Sequence, residues 1–496
     1  MKKYVYVAPS IDLLANHVAC EEILENEKSS FKKKIAVIDQ IFKIDDVNVK
    51  IENIRISSNF TSFEVILPEK VNYLNFQCFA PNAYFWLVLN NKICVNFSEN
   101  SENKLEVTLP NKEFLVLGLK ETFKAVEDSI LKKGSFNVCI GENERNEPLT
   151  FNLKKFSNLL ISGTAGSGKT QLIYAIITSL LYNCGPDDLR LIIADPKLVE
   201  FKVFKSLPHL MFKRPLYSAE EVSCMLDWLV EEMENRYGKF RGTDVCNIDQ
   251  YNEKVGESEK LPRIAVIIDE LFDFIIDSTF GKDAESSIFR LIAKSRAAGI
   301  HIIAASQRIN HEMNGIFRCG FYSRIALRTL SYTDSLIALG EGGAEMLEGN
   351  GDCFVKLDTY PSKVRGQCAY VTFEEIRNVC AFIVENNDPL TLLYDGLTIE
   401  KLIEETNRKK AEFYFSESNQ DDKMKDLLKD AMRVAIKNNT ISISILQRKL
   451  SIGFPKAGKL LDTLVELGYV SDLDENKNRK IYITKEQFEE IFGEPL

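Results

Sequence analysis

Residues 158–172 read NLLISGTAGSGKTQL, and this stretch decides the fold. Within it Gly163-Thr164-Ala165-Gly166-Ser167-Gly168-Lys169-Thr170 fits the P-loop pattern G-x-x-x-x-G-K-[ST] in full. An apolar strand (159–162) leads into it and an apolar helix (171–182) leads out. Gly163, Gly166 and Gly168 let the backbone curl so that its N–H groups converge on phosphate oxygens. The helix adds the positive end of its dipole. Lys169 can reach the β/γ-phosphates as a point charge, and the Thr170 hydroxyl can ligate Mg²⁺. The plain alternative is a Gly-rich turn that binds nothing; strand, loop and helix in the right order argue against it. The chain is expected to bind a nucleoside triphosphate.

Around this stretch the composition sets limits. A chain of 496 residues holds two to four domains, each able to bury a core. A net charge of −10 excludes a protein that coats nucleic acid by bulk charge, but leaves room for local basic tracks. The 11 cysteines are scattered with no C-x-x-C pair, so neither zinc nor a disulfide framework is expected, which fits a reducing cytosol. No apolar run approaches membrane-spanning length; the stretch 83–89 is the longest candidate.

From residue 135 strands and helices alternate, the pattern of a parallel sheet flanked by helices in an α/β fold. Residues 189–194 form one strand, ending in Asp195-Pro196-Lys197, and 263–268 form another, ending in Asp269-Glu270. An acid at the end of a strand beside the P-loop strand can hold Mg²⁺, and Asp269 is that acid; Glu270 can orient and polarise the attacking water. The rival reading is a helix N-cap and first turn. A third strand, 300–305, ends at Gln307, either a γ-phosphate sensor or a plain strand-end amide. Arg296 closes a helix expected over 286–297. It is either a C-terminal cation satisfying carbonyls or a finger that reaches a neighbouring subunit's nucleotide.

Residues 1–120 read as an N-terminal α+β domain: a helix over 20–47, then strands at 63–67, 83–89 and 93–97. Lys32-Lys33-Lys34 reads as a solvated face, with a nucleic-acid contact as the rival. The P-loop unit occupies 121–395, and a charged helix (398–410) with a polar linker (416–422) lies within 396–420 and just beyond. Residues 421–496 suggest a winged helix: a helix (424–437), a short strand (441–443), two helices (445–450 and 455–467) and a hairpin with its tip at 472–479. Arg448, Lys449, Lys456 and Lys459 make one face basic, suited to DNA, though winged helices also bind proteins.

The block 158–371 resembles the motor of the FtsK/SpoIIIE family of double-stranded DNA translocases. The resemblance is carried by GTAGSGKT, ADPKLVEF, the PHL within 207–210, EMENRYGKF, LPRIAVIIDEL, KSRAAGIHIIAASQR, SRIALR and GGAEMLEGNGD. APSIDLL at 8–14 is similar to the segment that opens the family's soluble part, and ISISILQRKLSIGFPKAGKLLDTLVELGYVS to its γ domain. The resemblance implies a hexameric ring of RecA-like subunits that pumps duplex DNA on ATP and Mg²⁺. It assigns Lys169 and Thr170 to Walker A, Asp269 and Glu270 to Walker B, Gln307 to the sensor and Arg296 to the trans-acting finger. Arg308 and Arg318 fall on the segment that resembles the family's first DNA-facing pore loop.

Some positions depart from the family. Ile309 follows Arg308 where proline is usual, Tyr332 and Leu336 occupy a region usually basic, and Pro455-Lys456 replaces Asn-Arg at the head of the reading helix. Lys456 can hold a phosphate but lacks arginine's bidentate reading of guanine. The family's membrane-spanning region and long linker have no counterpart here, so a free or otherwise recruited motor, rather than an anchored septal pump, is expected. Two other readings remain: a nucleotide-switched DNA-binding assembly protein, and a conjugation or DNA-packaging motor.

Overall fold

The computed structural model describes residues 6–17, 21–56, 60–69, 78, 80, 94–97, 103–111, 116–127, 132–156, 158–307, 320–358, 362–387, 394, 396–416, 422–471, 479–492 and 494–496. The expected strand at 83–89 and the hairpin tip at 472–478 lie outside them.

The N-terminal unit is an antiparallel sheet under one helix. Its strands are β1 (Lys50–Ile56), β2 (Phe60–Ile66), β3 (Cys94–Phe97) and β4 (Lys104–Pro110), in the order β1-β2-β4-β3. Phe63, Val65, Leu105 and Val107 point to one face and meet Ile38, Ile41 and Phe42 of helix α1 (Glu21–Lys43). Lys34 is turned inward to Thr61 and Asn111 at 3.0 and 3.2 Å, while Lys32 and Lys33 are exposed.

The second sheet carries the P-loop. Its strands are β5 (Asn137–Asn143), β6 (Pro148–Asn152), β7 (Asn158–Ser162), β8 (Leu189–Ala194), β9 (Arg263–Ile268), β10 (Ile300–Ser306), β11 (Ser323–Leu327), β12 (Asp352–Lys356) and β13 (Val364–Cys368). They run in the order β6-β5-β13-β12-β11-β7-β10-β9-β8. The five from β11 to β8 are parallel, and the remaining four are antiparallel. Every residue of β7, β8, β9 and β10 is buried, which is why these strands read as unbroken apolar runs. Helices α2 (Leu119–Ala125) and α3 (Lys169–Asn183) cover the face of Leu159 and Ile161. Helices α4 (Ala219–Thr243) and α5 (Gly281–Lys294) cover the face of Leu160, and α6 (Phe373–Asn386) returns to the first.

One expectation changes here. The strand that ends in Asp269 is not beside β7, because β10 lies between β9 and β7. Chain order does not reveal that crossover. The segment 6–14, which contains APSIDLL, also behaves differently from the rest of its unit. Tyr6 and Leu14 join the core of the larger sheet; the Tyr6 hydroxyl donates to Leu181 O (2.7 Å), and Val7 N–H to Asn387 Oδ1 (2.8 Å).

Helix α7 (Ile399–Ser416) buries Ile399 and Leu402 against α4 and is pinned there by Lys409–Glu231 (2.7 Å). It runs past 410 as far as Ser416, and 417–421 of the expected linker lie outside the described residues. The tail that follows has helices α8 (Asp422–Asn438), α9 (Ile443–Leu450), α10 (Phe454–Glu466) and α11 (Lys485–Phe492) around Leu428, Leu446, Leu460 and Phe488. No strand forms at 441–443: Ser442 caps α9, its hydroxyl accepting from Ile445 N, so Ile443 is already helical. An antiparallel bridge joins Val470 to Ile481. At the turn after α10, Gly468 has φ 70°, and a side chain there would strike Asn407 of α7.

Candidate functional site

The P-loop sits at the carboxyl end of β7. Gly166 and Gly168 take φ of 75° and 110°, and Gly168 caps α3. At Gly163 the reason for glycine is space, since a Cβ would meet Leu327 at 2.9 Å. Lys169 is buried, and its ammonium donates to Gly163 O and Thr164 O at 2.7 and 2.9 Å. Burial lowers its pKa to about 8, against the opposing pull of Glu270 and Asp269. The loop is braced by the segments that follow β11 and precede β12. Thr164 N–H donates to Arg328 O and Gly351 N–H to Ser167 O, both 2.8 Å. The GGAEMLEGNGD segment thus backs the P-loop, and the buried Arg365–Asp352 pair (2.8 Å) holds Asp352 next to Gly351.

Register brings the strand-end acids to the same edge. Ala304 pairs with both Leu160 and Ile268, so Ser306 and Gln307 arrive beside Glu270. Glu270 accepts from Ser306 Oγ (2.7 Å) and Gln307 N (2.8 Å). Burial raises its pKa. Asp269 is 4% exposed, and its carboxylate has no hydrogen-bond or ion-pair partner among the described residues. Burial, then Glu200, Asp195 and Glu270, push it up to about 7. A buried acid that accepts no hydrogen bond among the described residues, crowded by other carboxylates and offset only by the nearby Lys169 and Lys197 charges, suits a cation. Among the described residues no three His, Cys, Asp or Glu side chains converge as a metal cage.

Two acids in the site were not picked out by motif spacing. Asp195 and Glu200, both in ADPKLVEF, lie beside Asp269. Thr170 Oγ1 donates to Glu200 Oε2 at 2.6 Å, and Asp195 accepts from Lys197 N at 2.9 Å. Their only sequence signal was position, just past the end of a buried strand in the same sheet.

Arg296 is not brought to this edge. Helix α5 stops at Lys294, and Arg296 lies exposed in the turn that precedes β10. Ser306 is at the other end of that strand, six rises or about 20 Å away. The turn is held by EMENRYGKF. Buried Arg236 donates to Ala298 O (2.8 Å) and Tyr237 OH to Lys294 O (2.6 Å). Those two residues therefore clamp the backbone on either side of Arg296. His209 of the PHL segment is fully buried and bonded to Cys184 O (2.9 Å), a structural role.

Beside Gly166 and Gly168 opens a cavity of about 350 Å³, also lined by Gln171, Gly351, Gln367 and Tyr370. A larger cleft of about 610 Å³ lies away from the P-loop, between α4, α5 and α7. Arg448, Lys449, Lys456 and Lys459 are all exposed on α9 and α10 of the tail. Arg308 and Arg318 lie outside the described residues. Among the described residues no helix is long and apolar enough to cross a membrane.

Residues 126–311 match the FtsK/SpoIIIE family, and residues 422–484 match the FtsK gamma domain. The chain is 30% identical over 490 residues to the DNA translocase FtsK of Clostridium tetani, covering 98% of this chain and 64% of that protein. It is 33% identical over 392 residues to the DNA translocase FtsK of Caldanaerobacter subterraneus subsp. tengcongensis, covering 79% and 52%. It thus spans about half to two thirds of the length of these relatives. Among solved structures it is similar to the pCW3 conjugation coupling protein TcpA at 19% identity, covering 71% of this chain and 99% of that one with a TM-score of 0.48, too distant to bear on function. Because the P-loop sheet and the tail each match a part of the same proteins, in the same chain order, the chain belongs to the FtsK/SpoIIIE family.

Proposed function

We infer that the chain is an ATP-driven translocase of double-stranded DNA, working as a hexameric ring of RecA-like motors (121–395) with a winged helix tail (421–496) that loads or orients it on DNA. The observation that carries this is the split of the site. Lys169, Thr170, Asp269, Glu270 and Gln307 converge on one edge of the sheet, and Arg296 is clamped on the other. A second copy of the chain, presenting its Arg296 edge to this P-loop, would complete a hydrolytic site.

In this account the P-loop N–H groups, from Gly163 to Thr170, cradle the phosphates, and Lys169 turns from its carbonyl partners to the β/γ oxygens. Thr170 and Asp269 would hold Mg²⁺, which when bound supplies charge neutralisation on those oxygens. Glu270 orients the attacking water and takes its proton, and the raised pKa makes it a better base than a free carboxylate. Because Glu270 also holds the backbone of Gln307, movement at the sensor is felt by the base. Arg308 and Arg318 would grip phosphates in the pore, and the tail's Arg448, Lys449, Lys456 and Lys459 would hold the loading site. One observation favours a second reading, a nucleotide-gated assembly protein without turnover: both oxygens of Glu270 are engaged within the chain.

The test is complementation. Arg296→Ala and Lys169→Ala chains should each be nearly inactive in ATP hydrolysis, and mixing them should restore turnover in sites that have both groups. Mixed rings no faster than the sum of the separate variants would overturn the shared site.

A further inference from the structure

The loop between β8 and α4 holds Glu200 against the P-loop helix at two points. Thr170 Oγ1 donates to its carboxylate at 2.6 Å, and one turn further along α3 the Tyr174 hydroxyl donates to its backbone carbonyl at 2.7 Å. The loop is built to keep it there. Asp195, fully buried, accepts from Lys197 N (2.9 Å) and from Phe201 N (3.5 Å), closing the loop on itself. Phe201 and Phe204 pack edge-on against the Tyr174 ring, at 5.5 and 6.0 Å between centroids. Leu198, between these anchors, sits at φ 54°, a strained conformation that persists only where its surroundings enforce it.

A hydroxyl has one hydrogen and two lone pairs. With an ionised carboxylate as partner, only the hydroxyl can donate, so its hydrogen is committed to Glu200. The oxygen lone pairs are then left for a cation, and the χ1 freedom of Thr170 is removed. We propose that Glu200 is the positioning residue of the magnesium site: by taking the Thr170 hydroxyl hydrogen it fixes that oxygen as a ligand for the divalent cation that accompanies the nucleotide. The inference rests on the nucleotide-binding reading above. Glu200 acts through Thr170 and touches neither nucleotide nor metal in this role. Outer partners of this kind typically alter metal affinity 10–100-fold when removed.

The experiment is equilibrium binding of a fluorescent ATP analogue to the full chain, in EDTA and across a Mg²⁺ titration, for wild type, Glu200→Ala, Glu200→Gln and Thr170→Ala. Glu200→Ala should bind the analogue in EDTA within about twofold of wild type and need about 10-fold more Mg²⁺ for half its effect. Glu200→Gln keeps an acceptor oxygen and should stay within about threefold of wild type. The double variant Glu200→Ala/Thr170→Ala should be no worse than Thr170→Ala alone. An unchanged Mg²⁺ midpoint in Glu200→Ala, or equal losses with and without Mg²⁺, would reduce Glu200 to a structural latch. Glu200→Gln falling as far as Glu200→Ala would mean that its charge acts on the cation directly, contrary to the proposal. If wild type fails to bind the analogue at all, the nucleotide-binding reading itself is wrong.

Discussion

The two charged regions of this chain are built on opposite plans. At the P-loop edge, Lys169, Asp269 and Glu270 are buried within one desolvated cluster. There burial brings the lysine down to about 8 against the pull of Glu270 and Asp269, and burial with the neighbouring carboxylates brings the aspartate up to about 7. On the tail, Arg448, Lys449, Lys456 and Lys459 stand in solvent on two helices. In the first region each charge sets the protonation of the next, so the groups act as a unit and salt scarcely reaches them. In the second they are screened and nearly additive. Chemistry needs the first arrangement; a reversible grip on a polyanion needs the second.

The comparison breaks most easily at the buried edge. Lys169→Ala should abolish tight nucleotide binding and hydrolysis together. Glu270→Gln should leave ATP binding close to wild type and slow hydrolysis by about 10²–10⁴-fold. Parallel binding isotherms and single-turnover rates check this; equal loss of binding in both variants would make Glu270 structural and favour the switch.

Acid separates the same two regions. His301 is buried, its Nδ1–H donating to Phe156 O (2.9 Å) and its Nε2 accepting from Arg263 (3.0 Å); burial and then the Arg263 charge lower its pKa to about 3, against the Phe156 hydrogen bond. His209 falls to about 4, with burial the main cause in both. An unfolded chain would take these protons near the ordinary value of 6.5. Between about 6.5 and these depressed values the unfolded state therefore binds more protons, and stability falls as pH drops. Each histidine should remove on the order of 1–3 kcal/mol from the P-loop unit between pH 7 and 5, while Asp269, raised to about 7, works with the opposite sign and returns part of that, leaving a net loss. The tail, 421–496, contains no histidine and should not share this loss. Melting followed by hydrogen exchange at pH 7 and pH 5 distinguishes them; a uniform acid shift would contradict the prediction.

The smallest effects belong to the exposed face. Deleting 421–496 should leave DNA-stimulated hydrolysis within about twofold while removing sequence-directed loading. Lys456→Ala should cost about 1–3 kcal/mol in duplex binding if it touches a base edge, and otherwise lower the salt slope by about one phosphate contact. Fluorescence anisotropy across a salt series reads both. The contact between Gly468 and Asn407 puts the deletion at risk, since the tail leans on α7. Loss of hydrolysis in assembled rings would show that the tail braces the motor.

How much of this was legible in the sequence depended on how far each interaction reaches along the chain. The P-loop and the Asp269-Glu270 strand are contiguous, and their unbroken apolar runs announced buried parallel strands. What periodicity could not give was neighbourhood. Nothing local tells that β10 separates β9 from β7, or that Tyr6 bonds to Leu181. EMENRYGKF stood out only as a motif of the resemblance, and its role came into view when the fold placed Arg236 and Tyr237 over the Arg296 turn. Glu200 likewise needed the loop to close before it met Thr170. In the tail, the alternation Ile441-Ser442-Ile443 suggested a short strand, but Ser442 as N-cap outweighed it.

The central claim is that buried chemistry and exposed grip belong to one machine, and the ATP hydrolysis rate of the full chain with and without linear duplex DNA tests it most directly. The account predicts that duplex DNA raises the rate several-fold at low salt, that the gain shrinks as salt rises, and that Glu270→Gln abolishes it. A basal rate that duplex DNA leaves unchanged at every salt concentration would contradict it.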